Sequence, residues 1–243
     1  MEIVLNNISI KNSNRYILKN VNIRFTSKNI YALCGDNNTT FNIIKLIKGE
    51  MAIYKEIDYK KDISIISNYI NSDNIVIDEL NKARDNKVKI DEIIHILGIK
   101  DILKKKIITL NSTSNKKVCL ALALLSNPKV IIFDNYDSDL PYNDKKNLIR
   151  LVKFLKKKFN KIIIFKSSDM NFLLNIVDEY YFCKRGIIDG MCTKESIFDA
   201  DLPVYIDEPV LVSFLKKSRI KNKNINAYYD ISEIIKEIYR IVK

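Results

Sequence analysis

The sequence predicts an α/β domain: a sheet of buried, largely parallel strands flanked by helices. A helical subdomain falls at about 69–128, and a small, mainly helical appendage follows the core at 193–243. Three observations carry this. The continuous apolar runs VIIFD at 130–134 and KIIIF at 161–165 are strand-sized and have no polar face, as strands covered on both sides require. An amphipathic stretch, NDKKNLIRLVKFLKKKF at 143–159, lies between them, as a crossover helix between parallel strands would. A third apolar run, NIYALCG at 29–35, passes through a polar turn into FNIIKLIKG, the strand–turn–helix layout of a phosphate-binding loop.

Taken in order, EIVLNNISI and NVNIRFTS read as strands, followed by the strand–turn–helix unit ending near Gly49. KDISIIS is a further strand. From Asp78 to Ser126 the spacing turns helical, with IDEIIHILGI and NKKVCLALALLS placing apolar residues at i, i+3 and i+4. After the two apolar strands come a helix, DMNFLLNIV, a strand, DEYYFCKRG, and a tight turn at GIIDG that completes the core at about residue 192. The tail reads as helices at KESIFDA, PVLVSFLKKSRI and DISEIIKEIYRIVK, punctuated by Pro203 and Pro209. Its apolar stripes must be buried either on the chain's own core or against a second subunit.

The 243 residues and 47% hydrophobic content support a sizeable core. No apolar run approaches the ~20 residues of a membrane-spanning helix, and the N-terminus does not read as a secretory signal. The four cysteines are scattered, which argues against a zinc site or disulfide framework and suits a reducing cytosol. The net charge of +12 invites a nucleic-acid or anionic-membrane reading. Against it, the chain is rich in Lys, Asn and Ile, whose codons are AT-rich, and runs such as LKKK at 103–106 and LKKKFNK at 155–161 fall at predicted helix ends, where lysine suits the dipole. The single histidine, His95, reads as an ordinary helix residue.

In sequence order these segments resemble the ATP-binding subunits of ABC transporters over nearly the whole chain. LKNVNIRF resembles the strand before the phosphate loop, and ALCGDNNTTFNIIKLIKGE the loop and its helix. ISIISN falls before the Q-loop, and LNSTSNKKVCLALALLSNPKVIIFDNYDSDLP resembles the signature segment running into the Walker B strand. IIIFKSSDMNFLLNIVDEYYFCKRGIIDG resembles the switch-histidine strand through the last core strand, and the tail resembles the C-terminal extension of energy-coupling-factor ATPases. The resemblance implies an ABC ATPase (P-loop NTPase-like) domain at 1–192, working on the cytoplasmic, inner face of a membrane.

Inside these frames the functional residue types depart from the pattern. Gly35 holds the first loop glycine, while Asn37 and Asn38 tolerate left-handed turns and so let the backbone bend. Counted forward from Gly35, Phe41 takes the lysine position and Asn42 the hydroxyl position. Counted backward from KLIKG, Thr40 takes the lysine position, Phe41 the hydroxyl position, and the loop through Thr39 is one residue short. Lys45 lies a helical turn further on and reads as a solvated helix residue. Asn12, or Tyr16 if the loop shifts, falls at the adenine-stacking position, and Asn68 at the Q-loop glutamine. Asn111, Ser112, Thr113 and Ser114 replace the signature serine and glycines, with Asn111 placed to cap the next helix. Asp134 keeps the magnesium-side carboxylate, or simply caps a neighbouring turn. Asn135 stands for the general-base glutamate, Pro141 for the D-loop aspartate and Ser168 for the switch histidine. An amide cannot take a proton from water at neutral pH.

The resemblance and these departures lead to the expectation of a non-catalytic nucleotide-binding-domain subunit of an energy-coupling-factor importer. It would bind ATP and Mg²⁺ weakly at most, pair as a heterodimer with an intact ABC ATPase and dock on an integral-membrane transport component, with nucleic acid disfavoured as a partner. The alternative is a stand-alone regulatory or binding protein, for nucleic acid or anionic lipid, that reuses the fold.

Overall fold

A computed structural model of the chain describes residues 1–51, 62–66, 69–83, 85, 88–221, 226 and 231–242. Strands β1 (Glu2–Asn12) and β2 (Arg15–Thr26) form an antiparallel ribbon. Its inward residues, Ile3, Leu5, Ile8 and Ile10 on β1 and Leu18, Val21, Ile23 and Phe25 on β2, are buried. Alternation puts residues two apart on one face, and irregularities at Asn7 and Asn20, with φ of 52° and 50°, restore the phase between Leu5 and Ile8 and between Leu18 and Val21.

The main sheet has six strands in the order β4 (Ile63–Ile66), β5 (Val130–Asp134), β6 (Ile162–Lys166), β3 (Ile30–Gly35), β7 (Glu179–Lys184), β8 (Ile187–Thr193). All neighbours are parallel except β7 and β8. The apolar runs at 130–134 and 161–165 are therefore interior strands, as their composition requires. Their side chains alternate between two cores. Ile131, Phe133, Ile163 and Phe165 face α4 (Ser112–Leu125) and α5 (Tyr142–Phe159), whereas Val130, Ile132, Ile162 and Ile164 face α1 (Asn37–Ile47) and the β1–β2 ribbon. Stacked Phe133 and Phe165 rings, 4.5 Å apart, fill the first core.

The inserted region holds α2 (Val76–Ala83) and α3 (Ile90–Leu97), which with α4 enclose Val76, Leu80, Ile94, Ile107, Val118 and Leu125. Asn115, fully buried on α4, holds the segment at Ile70 against this unit: its amide oxygen accepts from the Ile70 N–H and its amide nitrogen donates to the Ile70 carbonyl (2.8 Å each).

The expected tight turn at GIIDG is instead strand: Ile187 opens β8, and the turn is Arg185–Gly186, with φ of 50° and 82°. A two-residue loop with both φ values positive matches the right-handed twist of a hairpin, and glycine takes the second position without strain. In the tail, KESIFDA contains one 3₁₀ turn, Ser196–Phe198, rather than an α-helix. After the short α6 (Met170–Leu173) in the core, the remaining helices are α7 (Val210–Lys221) and α8 (Ile231–Val242). Ile197, Phe198, Val212, Leu215 and Ile234 are buried in the same apolar cluster as Ile131 and Phe165, so these tail residues fold back onto the core. No described helix is long and apolar enough to cross a membrane.

Candidate functional site

The carboxyl ends of β5, β6 and β3 lie side by side, Asp134 in register with Lys166 and Lys166 with Leu33. This is the edge at which open α/β sheets place ligands.

At β3 the chain enters α1 almost without a loop. Asp36 is the N-cap, and its carboxylate accepts from the Thr39 amide at 2.7 Å and the Thr39 hydroxyl at 2.8 Å. The Arg185 amide donates to the same carboxylate at 2.7 Å. Asn37 and Asn38 are therefore the first residues of α1, not left-handed turn residues. The expected polar turn is replaced because Asp36 satisfies the helix end immediately after the strand. Burial pushes the Asp36 carboxyl up, but hydrogen bonds from Thr39, Arg185 and Asn38 outweigh it and hold the group below the usual aspartate range.

In either counting the lysine position falls inside α1. Thr40 is buried, its hydroxyl donating to the Asp36 carbonyl at 3.0 Å. Phe41 is half-exposed with the Lys45 ammonium 4.5 Å from its ring centre, so Lys45 is not merely solvated: it stands over an aromatic face. Asn42 returns its amide to Asn38. Gly35 is explained by packing: at φ 126° it passes so close to β7 that a Cβ would collide with the Cys183 carbonyl.

At β5 the Asp134 carboxylate accepts from the Lys166 ammonium at 2.8 Å and from the Asn135 side-chain amide at 3.2 Å. Asn135, at φ 49°, donates its backbone N–H to the Lys166 carbonyl at 2.8 Å. Ser168 is exposed just beyond β6. Beside it the Ser167 hydroxyl donates to Asp137 at 2.6 Å. Burial pushes the Asp137 carboxyl up, and its other oxygen, Oδ1, is buried without a partner.

Asn111 caps α4 by accepting from the Ser114 amide at 2.9 Å, and Ser112 and Thr113 form the first turn of that helix. Pro141 precedes α5 as its N-cap. Asn12 ends β1, and the Tyr16 ring, half-exposed on β2, lies beneath the ammonium groups of Lys11 and Lys19 at 4.5 and 5.6 Å. Asn68 lies outside the described residues. His95 is exposed on α3. Among the described residues no cluster of His, Cys, Asp and Glu could hold a metal ion.

The sheet edge thus brings together Gly35, Asp134, Asn135 and Ser168, and adds two residues that sequence reasoning missed, Asp36 and Lys166. Both carried a signal. Asp36 sits directly before an amphipathic stretch with threonine three residues on, and Lys166 ends an otherwise apolar strand.

No protein-family model matches the chain. It is 28% identical over 165 residues to an energy-coupling factor transporter ATP-binding protein of Malacoplasma penetrans, covering 65% of this chain and 58% of that one. A second such protein, of Ureaplasma parvum, is 30% identical over 144 residues, 58% of this chain and 49% of the relative. A third, of Mesomycoplasma hyopneumoniae, is 25% identical over 95% of this chain and 93% of its own length. The chain therefore spans about half the length of the first two relatives and nearly all of the third. Among solved structures, an ATP binding subunit of an ABC transporter superposes with a TM-score of 0.72 at 16% identity, covering 81% of this chain and 91% of that one. A bacterial Atm1-family ABC exporter with ATP bound gives 0.73 at 12% identity, over 90% of this chain and 42% of the exporter. The chain has the fold of an ABC transporter ATPase domain, and its sequence is similar to energy-coupling-factor ATP-binding proteins.

Proposed function

We propose that this chain is a non-hydrolysing ATPase-fold subunit of an ABC-type importer of the energy-coupling-factor kind. It pairs with a competent ATPase and docks with it on an integral-membrane component, at the inner face of the membrane. Relatives described as transporter ATP-binding proteins support the setting. The observation that carries the non-hydrolysing part is the Lys166–Asp134 pair: the carboxylate that a magnesium ion would need already holds an ammonium group.

The residues at the sheet edge do not fit a magnesium–triphosphate. A phosphate loop works by leaving backbone N–H groups free at a helix N-terminus and adding a lysine. Here the Asp36 carboxylate takes the Thr39 amide and brings negative charge to the phosphate position. Neither Thr40 nor Phe41 supplies a cation. Asn135 cannot act as a base, and loss of such a base alone typically costs ~10²–10⁴ in rate. These losses do not multiply, because the groups act as a unit, and no hydrolytic route through them is left.

The reading is tested by co-expressing the chain with an intact homologue from the same cell and measuring mass by light scattering and ATPase activity of the complex. The expected result is a stable heterodimer whose activity survives Asp134→Ala in this chain and is lost when the partner's general base is changed. A chain that stays monomeric with every intact homologue, with or without ATP, belongs instead to a stand-alone binding protein on the same fold.

A further inference from the structure

At the opposite edge of the sheet, where β3 begins, a cavity of about 350 Å³ is lined by Lys28, Lys153, Lys156, Lys157, Lys194 and Asp178, with Ile30 and Ile176 among its apolar walls. It lies roughly 17 Å from Gly35, at ~3.3 Å per strand residue along β3, and is separate from the nucleotide position. Four pieces of chain build it: the β2–β3 turn, the last turns of α5, the segment between α6 and β7 that carries Ile176 and Asp178, and the residue after β8; the lysines come from the first, second and fourth.

Its charge is out of balance. Five ammonium groups face one carboxylate, and that carboxylate is engaged: Asp178 Oδ2 accepts from Lys156 Nζ and from the Ile30 amide, both at 2.7 Å. On α5, Lys153 stands one helical turn from both Lys156 and Lys157, and like charges at that spacing destabilise a helix. The negative end of the α5 dipole accounts for lysines in its last turn. It does not account for Lys28 and Lys194, which come from elsewhere and converge on the same hollow. Lys194 is half-buried there; burial above all, with the neighbouring charge of Lys153 and then that of Lys156, pushes its ammonium pKa down against the opposing pull of Asp178 and Glu195. Lysines gathered in a concavity from three segments repel one another, a multivalent anion lowers that repulsion, and lysine is a point-charge ligand well suited to phosphate oxygens.

We propose that this cavity binds a small anion bearing several adjacent phosphates, of the size and charge of tripolyphosphate. The volume falls in the range of small-ligand pockets, and several phosphates in a row can engage lysines from all three segments where a single phosphate engages one or two. The source is a free, soluble polyphosphate rather than a lipid headgroup, because Asp178, Ile30 and Ile176 form the interior of a hollow and not a flat face.

The test is calorimetric titration of the full chain with sodium tripolyphosphate at low ionic strength, without magnesium. Saturable one-to-one binding is expected. Lys153→Gln/Lys157→Gln/Lys194→Gln should weaken it about tenfold or more, while Lys104→Gln/Lys105→Gln/Lys106→Gln, which removes the same charge elsewhere, should change it less than about twofold. Equal weakening by both triple variants, or no saturation, overturns the proposal. So does sedimentation with phosphatidylglycerol vesicles in the absence of any tripolyphosphate binding, which assigns these lysines to a membrane. Acetylation footprinting of the unaltered chain gives an answer that no variant's folding affects. Tripolyphosphate should protect Lys28, Lys153 and Lys157 selectively, and protection spread evenly over the chain's lysines counts against the site.

Discussion

Lys166 holds its ammonium 2.8 Å from the carboxylate of Asp134, its register partner on the adjacent parallel strand. The lysine side chain is about 10% exposed and the aspartate 27%, so the pair is largely shielded from solvent. A charged hydrogen bond there is worth more than an exposed ion pair. It also places an ammonium group directly on the Asp134 carboxylate.

Replacing that cation should uncover the carboxylate. Lys166→Met is expected to lose about 2 kcal/mol of stability and to gain weak Mn²⁺ binding, in roughly the millimolar range. Denaturant unfolding and Mn²⁺ paramagnetic resonance measure the two. Unchanged stability in the variant means the pair does not form in solution.

The α1 cap gives a pH-dependent signature. Asp36 has its carboxyl held below the ordinary range, so its contribution is fully present above the unfolded aspartate value, about 3.9, and is lost as pH falls through the lower folded value. Asp36→Asn keeps a capping oxygen but not the charge. Wild type should be the more stable at neutral pH, and the gap should close as the solution is acidified below about pH 4. A gap that persists into strong acid rules out the charge as its origin.

Restoring one residue should not restore chemistry. Neither the wild-type chain nor Phe41→Lys is expected to release phosphate from ATP above a contaminant control, because Asp36 still caps α1 and Asn135 still stands where a base is needed. A rate that co-purifies with the protein and vanishes in Asp134→Ala contradicts this.

The tail should behave as part of the core. Leu215 is fully buried with Phe198 and Val212 in the cluster that includes Ile131. Leu215→Ala is expected to cost about 2–5 kcal/mol, and deletion of residues 205–243 should destabilise the α/β core rather than leave it intact. Thermal unfolding of the truncated chain at the wild-type midpoint would place the tail outside the cooperative unit.

The strands and helices of the sheet were legible in the sequence because periodicity is local. Apolar pentads such as VIIFD are too short for a helix and rich in β-branched residues, which favours a doubly covered strand, and α5 declares its stripe by spacing alone. At Thr40, Phe41, Asn135 and Ser168 the sequence set an expectation of departed residue types, because the order of the motifs assigns those positions. Only the tertiary structure decided what fills the places they leave. Lys166 reaches Asp134 across 32 residues of sequence because β5 and β6 pair in parallel register. Arg185 donates to Asp36 across 149 because β7 lies beside β3. Lys28, Lys153 and Lys194 share one hollow only because the β2–β3 turn, the end of α5 and the end of β8 come together at the same end of the sheet. The tail's apolar stripe announced that it would be buried, but which surface buries it depended on shape complementarity with the core, and spacing along a single helix carries no record of that.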